Sequence, residues 1–491
     1  MASLRSLAKD TAIYGLSSIV GRFLNYMLTP LYTHVISAES GGYGIVTNVY
    51  AYTALILGML TFGMETTFFR FANKEGEDPR RVFSTALSFV SALSVTFFLL
   101  VYIFLPQVSG LMGYASHQEY VLLMAAVVML DAIQAIPFSY LRYRNRALRF
   151  AFLKLLFIVM NISLNLVYFL VLGYDDVLGV FALNLLCTSV ITLFFVPDVL
   201  AAFAKPDMRL LGRMLAYSWP ILVLGIAGIL NQAADKILFP LVYPDREQGI
   251  RELAVYGGCV KVAMIMAMIT QAFRFAYEPF VFAQSQAKDR TGMYAQGMKY
   301  FFIFTLLAFL CVMAYMPVLR YMLGSDYWQG LGVVPIVMVA EIMMGIYFNL
   351  SFWYKLVDKT FYGAWFSLAG CVVLIAVNVV FIPRYSYLAC AWGGVAGYGT
   401  SMLLSYLVGQ RLYPIAYPLG DMARYAALTA LLTLAVYLVP EGWPLAYRLA
   451  LNTLCVLALA SYILYRDIPV SNLPLVGRYF RTNNNSKTKQ L

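Results

Sequence analysis

Runs of about 20 apolar residues, each the helical length that crosses a hydrocarbon core of ~30 Å, recur along this chain from near its first residue to about Tyr465. Inside a bilayer every backbone N–H and C=O must be satisfied within its own segment, so runs of this length are helices and not barrel strands. Fourteen runs are delimited. The first seven are 11–36, 44–69, 82–105, 120–140, 150–172, 177–196 and 214–241. The second seven are 254–282, 300–318, 332–352, 361–382, 387–408, 422–439 and 444–465. The composition agrees, with 62% apolar and 12% charged residues and a mean hydropathy of +0.74 over 491 residues. A soluble core is excluded; the predicted fold class is all-α and polytopic.

Basic residues are retained on the cytoplasmic side of a membrane. With the N-terminus inside, and counting Arg424 and Arg448 at the ends of the last two spans with the loops beside them, 25 of the 35 Lys and Arg fall in cytoplasmic segments and five in external loops. The remaining five, Arg22, Lys154, Lys236, Lys261 and Arg274, lie within spans. This asymmetry accounts for most of the +11 charge without any nucleic-acid partner. No cleavable signal is visible, since "MASLRSLAKD" runs directly into the first span. The six cysteines are scattered singly through apolar runs and read as small core residues, and His34 and His117 are too far apart to suggest a metal site. The tail 466–491 is polar and basic, suited to anionic lipid at the inner leaflet.

The chain also repeats itself. Tyr43-Gly44 precedes Glu65 by 22 positions, and Tyr256-Gly257 precedes Glu278 by the same 22, an offset of 213. Near that offset lie Asn25 and Asp235, Pro30 and Pro240, Pro106 and Pro317, Gly113 and Gly324, and Asp131 and Glu341. The predicted organisation is a first six-helix lobe (1–203), a connecting loop (204–213) and a second six-helix lobe (214–410). Two further helices (411–465) and the tail (466–491) follow. Six is even, so the copies enter the membrane in the same direction, as in transporters whose substrate site lies between parallel repeats.

Charges within spans mark candidate function. Ser18, Arg22, Asn25 and Thr29 make one polar stripe along helix 1, and Gln271, Arg274 and Glu278 share a face of helix 8. Asp235 and Lys236, adjacent on helix 7, are expected on different faces. Glu65, in "FGMETTFFRF", has two readings: an anchor for the basic loop through Arg70, or a carboxylate facing the cleft between lobes. Asp131 and Glu341 are a second matched acidic pair. Counting them, buried acids equal buried bases, so net charge alone selects no substrate.

The 6 + 6 + 2 arrangement, "GLSSIVGRFLNYMLTPLYTHVIS" at the start, "YGIV" opening helix 2 and "FGMETTFFRF" closing it, resembles the polysaccharide-export branch of the multidrug/oligosaccharidyl-lipid/polysaccharide superfamily. These are the O-antigen-type flippases of lipid-linked oligosaccharides and their lipid II-flipping relatives. The resemblance implies a V-shaped pair of lobes in a bacterial inner membrane, both termini cytoplasmic, and a cavity for a sugar diphosphate whose polyprenyl tail stays in lipid. The implied partners are the lipid-linked oligosaccharide, membrane lipid and polysaccharide polymerase or assembly proteins.

A diphosphate needs fixed positive charge, and arginine matches phosphate oxygens best. The candidate cavity residues are Arg22, Asn25, Glu65, Asn231, Asp235, Lys236, Gln271, Arg274 and Glu278. No cofactor is called for; a coupling ion or the membrane potential is the candidate driving force. The alternative is a multidrug or cation antiporter of the same superfamily, with a carboxylate-dominated cavity. A membrane polymerase or ligase ranks last, because no external loop exceeds about a dozen residues.

Overall fold

The computed structural model describes residues 26–283, 290–356, 359–440 and 442–467. Among them every regular element is helical and no strand occurs. In chain order the main helices are α1 (Leu28–Val35), α2 (Gly42–Thr61), α3 (Met64–Ala72), α4 (Pro79–Ile103), α5 (Leu105–Met112), α6 (Gln118–Tyr143), α7 (Ala147–Leu166) and α8 (Val177–Ala202). The second half continues with α9 (Met208–Val242), α10 (Arg246–Ala283), α11 (Arg290–Ala314), α12 (Val334–Leu350), α13 (Phe361–Tyr385), α14 (Tyr387–Leu412), α15 (Leu419–Tyr437) and α16 (Leu445–Arg466).

Twelve helical spans among the described residues are long and apolar enough to cross a membrane. The first expected span falls mostly outside the described residues, and α1 is its described end. The expected span at 387–408 is present as the 26-residue α14 but is not among the twelve. Its glycines and serines explain why: they make it less apolar, yet they let it lie close against α13. A Cβ on Gly370 would stand 2.5 Å from the Gly397 carbonyl oxygen. Small residues at such crossings bring helix backbones together in lipid.

Leu99, Leu100, Leu193 and Leu431 are exposed on the outer surface, where a hydrocarbon solvent welcomes them. Helix starts carry their own chemistry. Asp78 and Asp176 accept from Arg80 N–H and Gly179 N–H, satisfying first-turn donors of α4 and α8. Asp207 does the same for Arg209 and Leu210 at the start of α9. The Leu210 and Arg209 N–H groups hold its carboxyl below the usual aspartate range. The expected connecting loop 204–213 is therefore a loop only through Asp207. Its backbone is tied to α4, with Ala204 N–H donating to Ser84 Oγ at 2.8 Å and Asp207 N–H to Thr85 Oγ1 at 3.0 Å.

The expected continuous helix at 44–69 is broken. Phe62 and Gly63 take φ of 52° and 66°, a left-handed turn that ends α2 and starts α3 in a new direction. Glycine is needed at the second position, because a Cβ would also meet Ile221 and the Ser218 carbonyl of α9 at 3.1–3.2 Å. The break puts Glu65 in the first turn of α3, where the helix dipole favours a carboxylate.

The largest apolar core joins both halves at the end of the bundle carrying residues 36–42 and contains Tyr32, Tyr43, Tyr256 and Tyr327. There Tyr327 donates to the Ile36 carbonyl at 2.8 Å and Ser37 to Asp326 at 3.1 Å. The two matched Tyr-Gly pairs meet at this core. A Cβ on Gly44 would lie 2.0 Å from the Ile250 carbonyl oxygen, and one on Gly257 would lie 2.5 Å from Thr47 Oγ1.

Candidate functional site

Among the described residues, two charged cavities lie inside the bundle. The second-half cavity, about 340 Å³, is enclosed by α9, α10, α12 and α14. From α9 it receives Asn231 and, one turn on, the adjacent Asp235 and Lys236. Lys236 Nζ sits 2.9 Å from both Asp235 oxygens, and Tyr256 Oη donates to Asp235 Oδ2 at 2.8 Å. Two neighbours expected on different faces are thus a bonded ion pair. The lysine stem is long enough to curl back, and the buried carboxylate offers no better partner than its neighbour.

Asn231 donates to the Ser367 carbonyl oxygen at 3.0 Å and to Ser367 Oγ at 3.1 Å, while its own Oδ1 is buried without a partner among the described residues. Tyr398 Oη donates to the Asn231 carbonyl at 3.0 Å. Gln271 lines the same cavity. One turn further along α10, the Arg274 guanidinium lies 4.9 Å from the ring centroid of Phe348, itself a wall of the cavity. The Glu278 side chain, and Arg22 and Asn25 altogether, lie outside the described residues.

The first-half cavity, about 570 Å³, holds Glu65 from α3, Asp131, Gln134 and Arg142 from α6, and Lys154 from α7. Glu65 Oε2 is 3.0 Å from Arg142 Nη2 and accepts from Ser139 Oγ at 3.3 Å. Arg70 is elsewhere, its guanidinium 4.0 Å from the Tyr217 ring centroid. The anchoring of Glu65 through Arg70 is overturned: the Phe62–Gly63 turn aims the carboxylate toward α6. Ile229 of α9, from the second half of the chain, completes the wall.

Five charged residues absent from the expected cavity set thus line the cavities: Asp131, Arg142, Lys154, Lys261 and Glu341. Their signal was present in the sequence. Lys154, Lys261 and Glu341 sit mid-span, and Asp131 and Glu341 are repeat-matched, one in each cavity. Arg142 was hidden among the basic residues flanking a span.

A third cavity, about 800 Å³, is apolar. It is walled by Phe302 and Leu306 of α11, Ile342 and Ile346 of α12, Met402 of α14, and Met422 and Ala426 of α15. Helix α12 separates it from the second-half charged cavity. Val339, Ile342, Met343, Ile346 and Leu350 face the apolar side; Val337, Ala340, Glu341, Met344 and Phe348 face the charged side. Within each set residues recur three and four positions apart, as on opposite faces of one helix. No group of three metal-ligating side chains occurs among the described residues.

In overall fold the chain is similar to "Lipid II flippase MurJ, inward closed conformation", with a TM-score of 0.73 and 15% identity over 92% of this chain and 98% of that one. It is also similar to an inward-facing multidrug resistance MATE family transporter of the MOP superfamily (TM-score 0.64, 14% identity, 82% of this chain and 95% of that one). A third likeness is to the MATE multidrug transporter DinF-BH (TM-score 0.60, 17% identity, 84% and 97%). No curated protein sequence matches at a significant level. The family model described as "Polysaccharide biosynthesis protein" matches residues 7–277, more than half of the chain, and the chain belongs to that family.

Proposed function

We propose that the chain is a flippase that moves a polyprenyl-diphosphate-linked oligosaccharide from the cytoplasmic to the external leaflet of a bacterial inner membrane, for O-antigen-type surface polysaccharide. Fourteen spans, as two six-helix lobes and two added helices, would present the substrate site to each side in turn. The basic loops and both termini would be cytoplasmic and the 36–42 end external.

The observation that carries this reading is the pair of cavities on opposite faces of α12, one charged around Asp235, Lys236, Lys261 and Glu341, the other apolar. Such a pair suits a ligand with a polar head and a long hydrocarbon chain; a small drug cation has no use for the second. Family membership and the likeness to a lipid flippase support it. The proposed headgroup contacts are Arg22, Asn25, Asn231, Asp235, Lys236, Gln271, Arg274 and Glu278, of which Asn231, Asp235, Lys236 and Gln271 line the charged cavity. Arg22→Lys should restore only part of what Arg22→Ala loses, because a point charge replaces a bidentate fork.

The likeness to multidrug transporters keeps an antiporter as the second reading. Deleting the gene in its native host and analysing the lipid-linked oligosaccharide pool decides between them. Build-up of the full-length intermediate on the cytoplasmic face supports export. An unchanged pool with altered drug tolerance overturns it in favour of the antiporter.

A further inference from the structure

We propose that the first-half cavity is a carbohydrate subsite, which holds uncharged sugar units of the headgroup while the diphosphate is held elsewhere. This rests on the flippase reading and adds to it a site distinct from the second-half cavity, with which it shares no lining residue.

Charge is the first argument. The cavity holds two carboxylates, Glu65 and Asp131, and two cations, Arg142 and Lys154. A diphosphate requires a surplus of positive charge and a drug cation a surplus of negative charge; here Arg142 is already paired with Glu65 and neither surplus exists, whereas the second-half cavity has the Arg274 guanidinium at its Phe348 wall in addition to its own two acids and two bases. A sugar hydroxyl both donates and accepts, so an array of acceptors and donors in equal number is matched to a polyol.

Several of these groups also have bonding capacity left. Gln134 spends its amide N–H groups on the Thr188 carbonyl oxygen at 2.9 Å and Thr192 Oγ1 at 2.7 Å, which fixes its side chain and leaves its oxygen as an acceptor. Lys154 Nζ lies 4.0 Å from the Phe138 ring centroid, with no carboxylate within ion-pair distance among the described residues. Arg142 Nε is buried without a hydrogen-bond partner among the described residues.

The walls supply the remaining requirement. Phe138 and Phe150 pack edge to face at 5.4 Å, and Phe157 is the more exposed third ring. Aromatic faces pack against the C–H face of a pyranose while its hydroxyls reach the polar groups. The volume of about 570 Å³ falls within the roughly 300–1,000 Å³ of small-ligand pockets. The site is also placed to sense the state of the transporter, because Ile229 of α9 closes it from the other half. Its Cδ1 lies where a Cβ on Gly58 would come within 2.3 Å, so a larger residue there would push the Ile229 side chain aside.

The test compares two probes on purified full-length protein in nanodiscs: bare polyprenyl diphosphate, and the same lipid carrying the native host's oligosaccharide. The wild type should bind the glycosylated lipid at least ten-fold more tightly than the bare one. Phe157→Leu, which keeps an apolar side chain but removes the ring, and Lys154→Gln should bring that ratio toward one while leaving binding of the bare lipid within about two-fold. An unchanged ratio in both well-folded variants overturns the sugar assignment and leaves the flippase reading intact. Equal loss for both probes also overturns it, by assigning the cavity to the diphosphate. Absence of binding of either lipid to the wild type overturns the flippase reading itself, and this proposal with it.

Discussion

Glu65 and Arg142, 77 positions apart in sequence, close a 3.0 Å ion pair in the first-half cavity, while Arg70, only five residues beyond Glu65, turns away to Tyr217. Charge reversal at Glu65 or at Arg142 should therefore abolish complementation, and Glu65→Arg with Arg142→Glu should restore part of it, as directly coupled residues do. Their side chains are 44% and 36% exposed, so the pair contributes at most about 1 kcal/mol to stability and membrane protein levels should hold. Rescue of Glu65→Arg by Arg70→Glu instead would contradict the observed pairing.

The crossing of α2 and α10 yields a prediction about conformation. The Gly44 position has no room for a methyl group, and the atom in the way is the backbone oxygen of Ile250, which cannot rotate aside. Gly44→Ala should separate the helices and shift the population toward a form open at the 36–42 end. A cysteine introduced at Thr47, which lies against Gly257, should react several-fold faster with a polar thiol reagent in that background. Unchanged labelling of a folded Gly44→Ala protein would show that this crossing does not govern access.

Much of this was legible in the chain. Span lengths gave the helical class because lipid leaves the backbone no alternative, and the Tyr-Gly repeat marked the two helices that cross at Gly44 and Gly257. What was not legible depended on direction. Hydropathy carries no trace of a left-handed turn at Phe62–Gly63, so the side of α3 that Glu65 occupies could not be read. Asp235 and Lys236 were separated by helical geometry alone, which ignores the reach of a lysine stem. Arg142 looked like a topology signal because its partner is distant in sequence.

The second-half cavity contains cations in two different situations. Lys236 is bonded to a buried carboxylate, whereas Lys261 and Glu341 line the cavity without an ion pair among the described residues. Lys236→Gln should strip the charge partner from Asp235 and destabilise the protein by about 3 kcal/mol, the scale for breaking a buried pair. Lys261→Gln and Glu341→Gln should leave thermal stability nearly unchanged and impair transport. If these two lower the melting temperature as much as Lys236→Gln does, they are structural partners and not ligand groups.

Lys299 joins the last two helices to the rest of the bundle. Its Nζ reaches Asp421 of α15 at 3.1 Å and Asp467, just past α16, at 2.5 Å; Arg466 adds a 2.6 Å contact to Asp421, and Tyr425 donates to Asp467. Met298 and Met422, the sequence neighbours of Lys299 and Asp421, line the apolar cavity, so this cluster fixes α15 against α11 at one end of that cavity. Lys299→Gln should leave two half-buried carboxylates facing each other, loosen α15 and α16, and make the 413–418 connection sensitive to protease. The exchange Lys299→Asp with Asp421→Lys should fail to restore protection, because one lysine serves two carboxylates and the swap puts a carboxylate, in place of that lysine, against Asp467. Full rescue by the swap would mean that only the Lys299–Asp421 contact matters. Protease resistance in Lys299→Gln would mean that apolar packing of α15 and α16 against α11, around Tyr425, Leu459 and Ile463, suffices without the ion pairs.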